Sequence, residues 1–286
     1  MQPNYEVAPE GTRMRLLHIG NLVADEGVFL PFVSSPFPKT QTIAQLTRAG
    51  KQNKRRHLVM ISVLIEHPKD GLLLYETGAG KDYPEVWGPQ LADIFARGEH
   101  SEDMELDAAI KKTGHDIKDV KGVIIGHLHL DHAGGLEYFR GTDVPIYVHE
   151  IELKNAFYSV ATKIDIGVYL PTYLQFDLNW TPLYGDSILI ARGITVHLSP
   201  GHTPGLCIMQ VNLKESGTWI FTSDLYIVQE NYDNLSTQGW LTRDHAAWSQ
   251  SNQLVHMLQK ATGAKVILGH DRDVLMRHKL APEYYE

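Results

Sequence analysis

Cysteine is almost absent from this chain: Cys207, in "GLCIMQV", is the single one. One thiol cannot form an internal disulfide or a thiolate cluster for zinc, and its apolar neighbours mark it as a small core residue. Long apolar runs are missing as well. No stretch approaches the ~20 residues that span a bilayer, and "MQPNYEVAPEGTRMR" at the start lacks an apolar signal core. The expectation is a soluble protein retained in the cytoplasm, with no membrane partner. Positive charge is in deficit: 26 Lys and Arg against 34 Asp and Glu give a net charge of −8. A nucleic acid demands a basic surface and is therefore not expected as a partner. The one basic cluster, "KQNKRRH" at 51–57, reads as a solvated loop or, more sharply, as an anion-steering patch at a site mouth.

What is present is ordinary in amount and uneven in placement. The 286 residues, 43% apolar and 21% charged, suffice for a large core. Branched aliphatic runs bounded by Gly, Pro or Asp predict strands at 14–24, 58–67, 71–78 and 120–126, then at 187–191, 193–199, 206–213, 218–224 and 264–270. "PIYVHEIELKNAFY" predicts a strand running into a helix. Further helices fit "MELDAAIKKTG" and roughly 243–262, each stopped by a glycine. "FLPFVSSPFPKTQT" is too broken by proline for regular structure, and 159–186 reads as loops and short helices over a pocket. No linker separates the halves. The expectation is one α/β domain over 1–286, with 1–13 a loose tail and two sheets sandwiched between helices.

Histidine is plentiful, at fifteen residues. Most of these, including His18, His57, His67, His100, His115, His256 and His278, read as ordinary core or surface residues. "GHLHLDHAGG" (126–135) is different: it crowds His127, His129, Asp131 and His132 into six residues directly after an apolar strand. In an extended turn, residues two apart project to the same side. His127 and His129 can then share one metal, while Asp131 and His132 aim at a neighbouring point. Imidazole and carboxylate ligands suit zinc and related divalent ions. His202 in "SPGHTPG", Asp224 ending "IFTSD" and His270 ending "VILGH" also follow apolar runs, so four strand ends supply seven candidate ligands.

With those residues in hand, the chain resembles the metallo-β-lactamase superfamily of hydrolases. The likeness runs from "MRLLHIG" to "VILGH" and includes "LLLYETGAG", where the family usually has an acidic residue before Thr-Gly. The resemblance implies a four-layer αββα sandwich with a dinuclear metal site between the sheet edges. By it, His127, His129 and His202 hold one ion, Asp131, His132 and His270 the other, and Asp224 bridges them. Two zinc ions per chain are implied, with other divalent transition metals as alternatives, and Gly78 is implied in a tight turn nearby. His129, where diiron members carry Glu, argues against oxygen reduction. The absence of a helical domain after His270 argues against the glyoxalase-II thioesterases. The long early loop, "SPGHTPG" and "SDLYIVQENYD" point to the lactonase branch, which includes N-acyl homoserine lactonases and pyridoxolactonases.

That branch implies opening of a small cyclic ester. Paired cations would lower the pKa of a shared water toward ~7, from about 15.7 in bulk. The resulting metal-bridging hydroxide would attack the ring carbonyl, with Asp131 passing a proton to the leaving atom. Opening of a small γ-lactam or aromatic cyclic amide or carbamate by the same site is the alternative. Several lactonases carry a tyrosine three residues after the bridging aspartate; here that position is Ile227 and tyrosine falls at Tyr226. Tyr226 is therefore read as either a catalytic contact or packing. Phe29, Phe32, Trp87, Phe157, Tyr169 and Tyr173 are candidate pocket aromatics, and Glu76 and His149 are candidate supports for the ligating histidines. The partner expected is a small-molecule cyclic ester or amide, and pairing into a homodimer is left open.

Overall fold

The computed structural model describes residues 6–30, 54–165 and 168–286. Two sheets form its middle layers. The first runs in the order β4 (Phe95–Arg97), β1 (Arg13–Asp25), β2 (Arg55–His67), β3 (Gly71–Tyr75), β5 (Val120–Ile124), β6 (Pro145–His149), β7 (Asn179–Leu183). The second runs β12 (Lys265–Ile267), β11 (Gly217–Phe221), β10 (Cys207–Leu213), β9 (Ile194–Leu198), β8 (Ser187–Ala191). β3, β5, β6 and β7 are parallel to one another, as are β11 and β12; the other pairings are antiparallel.

The first sheet is apolar on both faces because both are covered. Alternate residues of β2 and β3 divide between two cores. Val59, Val63, Ile65, Leu73 and Tyr75 meet the second sheet, while Leu58, Met60, Leu64, Leu72 and Leu74 face outward. In β1 the register slips between His18 and Gly20, and the alternation inverts there. Met14 and Leu16 lie in the inter-sheet core before the slip, and Leu22 and Ala24 lie in the outer core after it. The helix Leu106–Lys111 caps the outer face through Leu106, Ala109 and Ile110. The helix His245–Thr262 covers the second sheet through Trp248, Val255 and Leu258. The layers are thus αββα.

Several expectations are corrected. Residues 6–12 are not loose: Ala8 is buried and its amide donates to the Asn212 carbonyl at 2.8 Å. The described part of the basic cluster is strand rather than loop, since β2 begins at Arg55. Arg56 forks onto the Glu230 carboxylate at 2.6 and 3.0 Å. β7 lies within the region read as loops and short helices. Its sequence "NWTPL" hides it, because Pro182 is tolerated only on an edge strand, which β7 is. β3 stops at Tyr75 rather than 78 because Glu76 takes φ +59°. The Pro-rich stretch from residue 31 onward, Phe32 included, lies outside the described residues. No helix among the described residues is long and apolar enough to cross a membrane.

Candidate metal centre

Each ligand candidate sits just beyond a strand end. Residues 127–132 follow β5, His202 lies between β9 and β10, Asp224 follows β11 and His270 follows β12. Backbone bonds splice these ends together. The Cys207 amide donates to the Gly126 carbonyl at 2.8 Å, and the His270 amide to Ile227 at 3.0 Å. Gly126 is required at its position, since a Cβ there would lie 2.5 Å from a Glu76 oxygen and 2.9 Å from the Cys207 carbonyl.

The side chains gather into two trios, His127–His129–His202 and Asp131–His132–His270. Asp224 stands between them and divides its oxygens. Oδ2 lies 3.4 Å from His202 Nε2 and 3.8 Å from His127 Nε2. Oδ1 lies 3.1 Å from His132 Nε2 and 2.9 Å from His270 Nε2. His202 Nε2 also approaches His129 Nδ1 to 2.9 Å, and Asp131 Oδ2 lies 3.5 Å from His270 Nε2. Among the described residues, His127 Nε2, His132 Nε2, His270 Nε2 and Asp224 Oδ1 are buried without a hydrogen-bond partner. Such atoms are costly in a folded interior unless something else satisfies them. Two divalent cations fit this donor set in number, chemistry and placement.

Protonation follows the same geometry. Burial, reinforced by the neighbouring imidazoles, pushes His127 and His129 well below the usual imidazole range, and burial takes His202 down to about 4. These three are neutral, as a ligand must be. Burial opposes charge at His132 and His270, yet the carboxylates around them together outweigh it and raise both: Asp224 foremost, Asp131 beside each, and Glu76 beside His132. Burial would likewise raise Asp224, but His270 and His132 hold it well below the carboxylate range.

Behind the ligands lies a ring of orienting groups. Glu76 Oε2 is 3.3 Å from His132 Nδ1, while its Oε1 accepts from Ser223 Oγ at 2.8 Å and from the Gly126 amide at 3.2 Å. Ser223 Oγ also meets His127 Nδ1 at 3.1 Å, and the Val59 carbonyl meets His270 Nδ1 at 2.8 Å. His149, the other expected support, is elsewhere: it caps the helix Glu150–Thr162 and bonds the Gly185 carbonyl. Ser223 could have been found in the sequence, beside Asp224 in "TSD". Nothing in the sequence marked Glu152, which is wholly buried near the same loops and whose carboxyl is raised by that burial.

A cleft opens over His129, Asp131, His202, Asp224 and His270. Leu22, Leu58 and Phe95 wall it from β1, β2 and β4, Phe29 from the short helix Glu26–Phe29, and Val168, Ile227 and Leu241 from the connecting segments. Of the expected pocket aromatics, Phe29 is there. Trp87 instead packs on Tyr83 and donates to Tyr173, whose hydroxyl donates to the Ala79 carbonyl. Phe157 packs on Phe176 and Trp180. Tyr169 lies edge-on to His129, ring centres 4.8 Å apart, with its hydroxyl on Glu152. The catalytic reading of Tyr226 is corrected: its ring is buried against the helix His245–Thr262, edge-on to Trp248, and its hydroxyl donates to Asn252 Oδ1 at 2.5 Å. Adjacent residues on extended backbone point oppositely, and Ile227 takes the cleft side.

A family model described as the metallo-beta-lactamase superfamily matches residues 62–270, most of the chain and all seven ligand candidates. The chain belongs to the metallo-β-lactamase superfamily. Its relatives are lactonases, metal-dependent hydrolases of that superfamily. The N-acyl homoserine lactonase AttM of Azorhizobium caulinodans is 30% identical over 197 residues, covering 65% of this chain and 71% of the relative. The N-acyl homoserine lactonase AiiB of Agrobacterium fabrum is 22% identical over 275 residues, covering 92% and 95%. Among solved superfamily structures, an N-acyl homoserine lactone hydrolase with N-hexanoyl-L-homoserine at its catalytic metal center matches with TM-score 0.77 and 20% identity over 96% of this chain and 98% of that one. The dizinc quorum-quenching lactonase AidC matches with TM-score 0.63 and 15% identity over 93% and 90%. At those identities the structures establish the fold.

Proposed function

We propose that this chain hydrolyses small lactones at a centre holding two divalent cations, zinc by preference. The observation that carries this reading is the division of Asp224, one oxygen toward each trio. The lactonase activity named for its relatives supports the substrate class. When bound, the two ions would supply Lewis-acid polarisation of the ring carbonyl and an acidified water as nucleophile.

The chain's own residues do the rest. His127, His129 and His202 would hold one ion, and Asp131, His132 and His270 the other. Asp131 is the most exposed of the ligands, at 14% of its side chain, and it lines the cleft. It is therefore placed to take the proton given up by the attacking water and hand it to the ring oxygen as the C–O bond breaks. The apolar wall excludes water and seats the hydrocarbon part of a substrate. Among the described residues the only polar side chains lining the cleft are ligand candidates. No tyrosine hydroxyl from residue 226 or 227 assists the developing oxyanion.

The test is hydrolysis of γ-lactones and N-acyl homoserine lactones by protein reconstituted with two equivalents of zinc, with γ-lactams assayed in parallel. Lactone opening is expected, with Asp131→Asn lowering turnover by ~10²–10⁴-fold, the usual contribution of a positioned proton donor. Loaded protein inert on every lactone in the panel contradicts the reading. Activity confined to the lactams would reassign the substrate.

A further inference from the structure

Glu152 is a carboxylate with no solvent exposure, two residues into the helix Glu150–Thr162. It makes no contact with a ligating nitrogen, so the reading above does not use it. Yet its hydrogen bonds all go to the two turns that present the first trio, or to the ring packed on it. Oε1 accepts from the Leu128 amide at 3.0 Å, and Leu128 is the residue between His127 and His129. Oε2 accepts from Thr203 Oγ1 at 2.6 Å, and Thr203 adjoins His202. The Tyr169 hydroxyl also donates to Oε1 at 3.0 Å, while its ring lies edge-on to His129. The turn that holds His202 presses directly on this helix. A Cβ on Gly205 would lie 2.1 Å from the Glu152 amide nitrogen and 2.5 Å from its Cα.

Glu76 offers a comparison. It binds the Gly126 amide and stands 3.3 Å from His132, a member of the other trio. Two buried carboxylates therefore hold alternate amides of the strand-end turn, Glu76 that of Gly126 and Glu152 that of Leu128, with His127 between them.

We propose that Glu152 is a positioning residue for the His127–His129–His202 site, pinning two separate turns to one carboxylate so that three imidazoles converge. This rests on the two-cation reading and is independent of which ring is opened. Burying an ionised carboxylate is expensive, and only multiple donors make it tolerable. Here those donors are the backbone amide and side chains of the metal-binding turns, so the carboxylate's requirement for donors fixes their separation. A group that orients ligands in this way is worth ~10–100-fold in metal affinity.

Its selectivity separates this role from general support of the fold. Metal-free protein titrated with zinc against a chelating dye should bind two ions. In Glu152→Gln, which keeps the shape but turns a donor toward Thr203, one ion should weaken by ~10–100-fold while the other keeps wild-type affinity. Thr203→Val and Tyr169→Phe each remove one arm and should weaken the same ion by less; they carry the test if Glu152→Gln does not fold. Equal weakening of both ions, or wild-type affinity for both in all three variants, overturns the proposal. Wild-type protein binding fewer than two zinc ions overturns the two-cation reading and this inference together. Two ions bound by wild type and not separated by the variants overturns only the inference.

Discussion

Asp224 keeps its charge at the centre of the molecule because the imidazoles of His270 and His132 outweigh the cost of its burial. Both oxygens are engaged from opposite sides, so the residue belongs to neither trio alone. Asp224→Asn should therefore lower affinity for both zinc ions together, read by titration of the metal-free protein; loss of one ion alone would show that the carboxylate is not shared. Glu76 sits directly behind His132 and reaches His127 through Ser223 Oγ, so Glu76→Gln should cost ~10–100-fold in affinity for the second ion and less for the first. At the cleft wall, Ile227→Ala removes apolar contact from the substrate side. It should reduce kcat/KM for alkyl-substituted lactones by ~10-fold, with smaller change for the unsubstituted ring. The seven ligand candidates that the structure brings together were legible in the sequence because each is a chemically distinctive side chain at the end of an apolar run. Ile227 and Tyr226 were distinguishable only by geometry, since one residue of offset decides which face of an extended segment each occupies.

Elements show where that legibility stops. β8 was bounded correctly from "SILIA", because a compact aliphatic run between polar turns has one reading. β7 was missed because an edge strand with a proline and little apolar character carries no periodic signal. The turns around the site were visible as glycines, but what presses on them was not. Gly134 is an example: a Cβ there would lie 2.0 Å from the Ala79 carbonyl carbon. Gly134→Ala should lose ~1–3 kcal/mol or more by denaturant unfolding, since backbone and not a movable side chain is in the way. The helix His245–Thr262 gives a contrasting case. Asp244 accepts from the Ala246 and Ala247 amides at 2.9 Å each, and only its backbone amide, which a side-chain substitution keeps, reaches the turn before His202, at the Gly201 carbonyl. Asp244→Ala should lower stability by about 1 kcal/mol and leave zinc stoichiometry unchanged.

At the scale of the whole molecule, candidate ligands from two sheets meet at one edge, so binding a cation there would be linked to folding. His127 to His132 come from the first sheet, and His202, Asp224 and His270 from the second. An ion held across that edge stabilises the folded state by about 2.7 kcal/mol when its free concentration is 100 times its Kd. Chelation should accordingly lower the melting temperature, and zinc in excess should restore it. The measurement that bears most directly on the account is anomalous diffraction at the zinc edge from crystals grown with zinc. The account predicts two peaks about 3.5–4 Å apart, each against a different oxygen of Asp224. A single peak, or two peaks with neither touching that carboxylate, would contradict it.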